Sequence, residues 1–190
     1  DEHEKSISKM GISNTDKVVI YCNSNLISSA RTWFQFLYFG HNPKLVSVLN
    51  GGMKKWKLEN KKVTNVETKI IPSKYVATEK KDMVKIISQI EENIKKKEFT
   101  VLDARNKNRF LGLEPEPRPG IKSGSIKGSK SLPLNKLIDP QNNTFLNKDK
   151  LKEKFNLIEI NNNEVVMSCG SSVTASSLAL AYSLINDEYT

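Results

Sequence analysis

The residue with the clearest chemical promise is Cys169, in the stretch VVMSCGSSVTASSLALAYSLI at 165–185. Apolar and β-branched residues lead into it, small polar residues follow, and apolar residues then recur at helical spacing. That order predicts a buried strand, a tight loop opened by the thiol, and a helix. Backbone N–H groups at a helix start lack intrahelical partners, and the helix dipole is positive there. An anion is stabilised at such a point, so a thiol placed there is drawn towards its nucleophilic thiolate form. Gly170, Ser171 and Ser172 have little bulk, so the loop can curl and aim its N–H groups inward as an anion nest. The bland alternative is a buried core cysteine, among the most buried residue types. The local sequence leaves both open.

A thiolate under an anion-cradling loop is also the apparatus of cysteine-dependent phosphatases. That chemistry needs an arginine closing the loop after five residues, to clamp the phosphoryl group. Ala175 stands there, and residues 170–174 carry no positive charge. Phosphoryl transfer is therefore set aside.

The elements that must position Cys169 are part of a repeat. VVIYCNSNLISSARTWFQFL from Val18 and VVMSCGSSVTASSLALAYSL from Val165 both read strand, cysteine, polar loop, helix, with the cysteines at the same place. This is an internal duplication of one supersecondary unit. The loop after Cys22 is bulkier and slightly longer than that after Cys169. In the first copy, Ile27, Ala30, Trp33, Phe34 and Leu37 form the helical stripe and Gly40 is its stop. A second strand follows at LVSVL (45–49), then Gly51-Gly52 and a short helix in MKKWKL (53–58). Strand, helix, strand and helix in this order argue for a parallel α/β sheet.

Residues 59–78 are polar and aperiodic and read as a linker. Residues 79–97 predict an amphipathic helix with Met83, Ile87, Ile90 and Ile94 as its stripe. FTVL (99–102) predicts a strand ending at Asp103. The Pro- and Gly-rich segment 109–133 reads as a long loop, irregular enough to exclude a helix or a central strand, and long loops are often functional. Residues 164–168 predict the strand before Cys169. Ala175, Leu178, Ala179, Tyr182 and Ile185 mark the expected buried face of the last helix.

Composition narrows the class. The chain has 190 residues, 37% of them hydrophobic, and a formal net charge of +9. The lysines are dispersed and the RNA-module signatures are absent, which favours solvated surface over nucleic-acid binding. No apolar run approaches the roughly 20 residues of a membrane helix. The opening DEHEKSISKM lacks a signal peptide's apolar core and reads as an internal start, so no targeting sequence is visible. Two cysteines and no Cys/His cluster exclude a disulfide scaffold and a zinc site; no metal is expected. Cys22 and Cys169 read as reduced thiols, with a single disulfide as the alternative.

Three motifs give the sequence a family resemblance. Residues 18–56 hold VVIYC, ARTWFQFLYFGH and VSVLNGGMKKW; residues 101–120 read VLDARNKNRFLGLEPEPRPG; residues 169–175 read CGSSVTA. Together they resemble the tandem-domain rhodanese-type sulfurtransferases, most of all the 3-mercaptopyruvate branch. The resemblance implies an α/β fold of two similar domains, each a mainly parallel sheet flanked by helices. It divides the chain into 1–58, the second half of a non-catalytic first domain, a linker at 59–78, and a catalytic domain at 79–190 without its C-terminal end.

The resemblance also implies a reaction. Cys169 takes sulfur from 3-mercaptopyruvate as a persulfide, pyruvate leaves, and a thiol such as thioredoxin, a small thiol, or cyanide accepts the sulfur. No metal or organic cofactor is implied. Arg109 and Arg118 fall on the family's substrate arginines, and a guanidinium fork suits a keto acid's carboxylate. The N–H groups of Gly170, Ser172, Val173 and Thr174 are expected to cradle the sulfur. Ser171 matches a serine of a proton relay whose partners would precede residue 1; neither His3 nor His41 matches them. The thiosulfate-using sibling branch typically follows its cysteine with Arg and Lys; Gly170 and Ser171 are uncharged, which favours the keto acid.

Several expectations complete the reading. Cys22 is expected to be inert, and Asp103 and Arg105 an end-of-strand pair. Ser172 replaces a usual Gly, which strains the loop if that position needs positive φ. Ser125 and Lys127 stand in GSIKGS where the family commonly has GHIPGA. The chain is expected as a monomer or weak dimer in a reducing compartment, cytoplasmic or mitochondrial. The competing class is a degenerate rhodanese module that only binds partners.

Overall fold

A computed structural model describes residues 2–23, 27–158, 160 and 164–186. The elements run α1 (Glu2–Lys9), β1 (Val18–Ile20), α2 (Ile27–Tyr38), β2 (Val46–Val48), α3 (Gly52–Leu58), α4 (Ile87–Lys96), β3 (Thr100–Asp103), α5 (Lys107–Phe110), β4 (Lys130–Ser131), α6 (Lys148–Asn156), β5 (Val165–Ser168) and α7 (Val173–Ser183). β1 pairs with β2 in parallel, and β3 sits between β4 and β5, parallel to both. The repeat is realised as β1–α2 and β5–α7. The α/β architecture and the parallel pairing are those read from the sequence.

The β-branched residues that predicted β1 and β5 form those strands because a pleated, half-buried surface suits them. α2 and α7, the helices of the two copies, pack on each other, so the duplicated units meet helix to helix. Ala30, Trp33 and Leu37 of α2 are buried, as is every residue of α7 from Ala175 to Ala181. The expected one-sided face of α7 was therefore too narrow. α6 also packs on this helix, and a helix enclosed all round shows no amphipathic pattern. Its small residues Ala175, Ser176, Ser177, Ala179 and Ala181 permit that close approach.

Other expectations shift in extent. The helix foreseen over 79–97 begins only at Ile87, after a 3₁₀ turn at Lys81–Met83. The Gln89 side chain accepts from the Ile86 N–H, fixing the start there, and Ile87 is 78% exposed, so it leaves the predicted stripe. Residues 109–133 are less irregular than expected: Arg109 lies on the single-turn α5, and Lys130-Ser131 add a short edge strand. α1 and α6 had no sequence signal, since they bury only Ile7 and the pair Leu151 and Phe155.

The stretch 59–78 forms no regular element, but its last third is fastened to the first unit. Ser73 N–H donates to Ser8 O at 2.9 Å, Val76 N–H to Asn14 Oδ1 at 2.8 Å, and Thr78 N–H to Phe39 O at 3.0 Å. Tyr75 is 1% exposed and stacks on the buried His41. His3 stacks on Phe39, so both histidines belong to an aromatic cluster of the first unit.

β3 is anchored by Asn93, near the end of α4. Its buried side chain donates to Phe99 O at 2.9 Å and accepts from Phe99 N–H at 3.0 Å. Asn93→Ala strands both backbone groups, at a cost of about 1–3 kcal/mol for unsatisfied buried polar groups. A lowered urea midpoint with an unchanged m-value is the expected result.

Candidate functional site

Cys169 directly follows β5 and is half-buried against the core. Gly170, Ser171 and Ser172 form the loop, and α7 begins at Val173. Val173 and Thr174 thus present first-turn N–H groups, which lack intrahelical acceptors. Ser171 is exposed. Ser172 has φ +62° and ψ 2°, the left-handed region. The sequence raised this possibility through the serine at a glycine position, and the backbone demands it. A left-handed residue ahead of helical ones turns successive N–H groups towards one concave side. Ser176 Oγ donates to Ser172 O at 2.7 Å, tying the strained residue to the helix.

Arg109 and Arg118 come to this loop from the segment between β3 and β4. Arg118 Nη1 donates to Gly170 O at 3.2 Å. A Cβ added to Gly170 would lie 3.0 Å from Arg109 Nη2, so glycine is what lets that guanidinium lie over the loop. Asn106 caps α5 by accepting from Arg109 N–H at 2.8 Å and sets where Arg109 leaves the backbone.

The residue that organises these arginines is Glu116, which sequence reasoning did not single out. Its side chain is 2% exposed. Its carboxylate accepts from Arg109 Nε at 3.1 Å and Nη2 at 2.5 Å, and from Arg105 Nη1 at 2.7 Å. Arg105 also grips Asp103, with Nε at 3.0 Å from Oδ1 and Nη2 at 2.6 Å from Oδ2, and donates to Gly124 O at 2.8 Å. The end-of-strand pair of Asp103 and Arg105 is therefore one half of a four-residue ionic chain that ends at Arg109. The available signal was two glutamates, 114 and 116, set between arginines 109 and 118 in a segment that otherwise reads as solvated.

Cys22, the repeat counterpart, is enclosed. It is 7% exposed, Ser29 Oγ lies 3.7 Å from its sulfur, and a Cβ on Gly52 would meet Cys22 O at 2.7 Å. Four residues separate Cys22 from α2, against three between Cys169 and α7; residues 24–26 of that loop lie outside the described residues. A cleft of about 710 Å³ reaches Cys169 and Ser172 from the α2 side, past Trp33, Phe34 and Tyr38, but neither Arg109 nor Arg118 lines it. The cleft and the two arginines thus lie on different sides of the Cys169 loop. Among the described residues no three His, Cys, Asp or Glu gather as metal ligands, and no helix is long and apolar enough to cross a membrane.

A rhodanese-like domain model matches residues 1–59 and 87–188. The chain is 36% identical over 195 residues to thiosulfate/3-mercaptopyruvate sulfurtransferase 2 of Arabidopsis thaliana, covering 91% of this chain and 56% of that protein. It is 32% identical over 175 residues to human 3-mercaptopyruvate sulfurtransferase, covering 90% and 58%. The crystal structure of SseA from Escherichia coli, a 3-mercaptopyruvate sulfotransferase with the rhodanese fold, superposes with a TM-score of 0.85. It is 22% identical, over all of this chain and 70% of that one. The chain spans a little over half the length of the relatives it matches.

Two outcomes follow from this geometry. Ser172→Gly removes a left-handed strain of about 1–2 kcal/mol against a glycine entropy cost of about 0.5–1 kcal/mol. Thermal unfolding of the variant should shift upward. Separately, Arg109 and then Arg105 hold the Glu116 carboxyl below its ordinary range. A lowered native value means its stabilisation is full above the unfolded value of about 4.3 and is lost as pH falls through the native one. The stability gap between wild type and Glu116→Gln should therefore narrow as pH falls below the unfolded value of about 4.3, as urea melts from neutral into acid pH will show.

Proposed function

Since the chain belongs to the rhodanese-like domain family, we propose that it is a sulfurtransferase that takes sulfur from 3-mercaptopyruvate through Cys169. The observation that carries this reading is the convergence of Arg109 and Arg118 on Gly170, the residue next to the thiol. Two guanidinium groups beside a nucleophilic sulfur suit a small donor that carries both a carboxylate and a transferable sulfur.

Arg118 and the outward edge of Arg109 bind the donor's carboxylate and fix its thiol against Cys169. The Cys169 thiolate attacks that sulfur, an S–S bond forms, and the C–S bond breaks. Its electron pair goes to the carbon as the enolate of pyruvate, which takes up the proton given up by the donor's thiol and leaves as pyruvate. The persulfide's terminal sulfur carries the negative charge, and the N–H groups of residues 170–174 face it from the start of α7. The exposed Ser171 handles the exchanging proton in this reading. An acceptor thiolate, on thioredoxin or a small thiol, then attacks the outer sulfur and returns Cys169 as thiolate; cyanide can replace the thiol. Cys22 and Cys169 are thiols and not a disulfide, which accords with work in a reducing compartment, cytoplasmic or mitochondrial.

Intact-mass measurement after incubation with 3-mercaptopyruvate should show one added sulfur that reductant removes. Cys169→Ser should abolish both the adduct and pyruvate release, and Cys22→Ser should retain them. Substantial turnover by Cys169→Ser would sink the mechanism.

A further inference from the structure

Arg109 lies against Gly170, the residue after Cys169, but much of its hydrogen-bonding capacity is already committed. Glu116 occupies its Nε–Nη2 edge, the fork that would otherwise grip a carboxylate with two parallel bonds. Arg105 is more fully engaged, by Asp103, Glu116 and Gly124 O. Glu114, the other carboxylate of the segment, is turned to the amides of Asn106 and Asn108. The chain Asp103–Arg105–Glu116–Arg109 therefore has two cations and two anions and sums to no charge. Arg118 is exposed, and its contact at the loop is with a neutral carbonyl oxygen.

On the sulfurtransferase reading above, we infer that Glu116 determines which donor anion the site prefers, by cancelling the charge of Arg109 and leaving Arg118 as the uncompensated guanidinium, among the described residues, that reaches the Cys169 loop. The guanidinium groups at the loop then offer one net positive charge, which matches a monocarboxylate such as 3-mercaptopyruvate, and the Cys169 thiolate opposes any second negative charge. A dianion such as thiosulfate brings one negative charge more than those guanidinium groups offset. Coulomb energy scales with the product of the charges, so a unit change in the site is felt twice as strongly by the dianion. Glu116 does not touch the donor; it acts through Arg109, as a positioning and charge-setting residue.

The test compares kcat/KM for thiosulfate and for 3-mercaptopyruvate, with one small thiol as acceptor and at low ionic strength. Glu116→Gln, which keeps shape but adds one net positive charge to the site, should raise the thiosulfate-to-mercaptopyruvate ratio about fivefold. Added salt should shrink that gain. Glu116→Asp, which keeps the charge, should keep the wild-type ratio even if both rates fall. A ratio unchanged or lowered in Glu116→Gln overturns the inference, because a merely structural role reduces both donors alike. A rise as large in Glu116→Asp also overturns it, because geometry rather than charge would then be responsible. Wild-type protein that takes sulfur from neither donor overturns the sulfurtransferase reading, and this inference with it.

Discussion

The arrangement around Cys169 depends on a carboxylate removed from water. Glu116 is 2% exposed and receives three guanidinium hydrogen bonds from two arginines. An ion is tolerated at such a place only when its lone pairs are fully engaged. That requirement works in both directions. The arginines satisfy Glu116, and Glu116 holds the arginines in one orientation, so that long, rotamer-rich side chains are ordered before any ligand arrives. Ordering them in advance lowers the entropic cost of binding. Asp103 extends the same constraint to β3, which places one end of the ionic chain on the sheet.

The sheet and the helix pair do the complementary job for sulfur. α7 is walled in by α2 and α6, and its small side chains leave little slack. The start of the helix, where the N–H groups emerge, is consequently fixed with respect to β5. Ser172 completes the turn between them at the cost of a left-handed backbone. Such strain persists only where the surroundings over-determine the conformation, and here they do: β5 pairs on one side and the Ser176 hydroxyl holds Ser172 O on the other.

Much of this was legible in the chain. The β-branched runs at 18–20 and 165–168 and the matching cysteines disclosed a duplicated strand–loop–helix unit, and each became one. The motif match had paired Arg109 and Arg118 with the Cys169 loop, and both guanidinium groups reach Gly170. What escaped was whatever depends on contacts between distant residues. α6 has only two buried apolar residues among its lysines, and α5 and β4 are too short to carry a period. Glu116 looked like one more exposed acid because nothing local marks it. It becomes a buried ion only once Arg105, eleven positions earlier, has been fixed at the end of a strand. The contrast between the two cysteines was foreseen in kind but not in cause: Gly52, from the next helix, comes up against the Cys22 carbonyl and closes that copy.

Asp103 and Ser168 are paired residues on adjacent parallel strands. The ionic chain therefore departs from one strand, and the Cys169 loop from its neighbour, at the same level. Side-chain packing alone would leave that alignment soft; a ladder of backbone hydrogen bonds makes it discrete. Slipping β5 by one residue against β3 would displace the sulfur by about 3.3 Å, several times the roughly 1 Å misplacement that can cost a reaction a hundredfold. The spacing between sulfur and guanidinium is in this sense a digital quantity, counted in whole residues along a sheet.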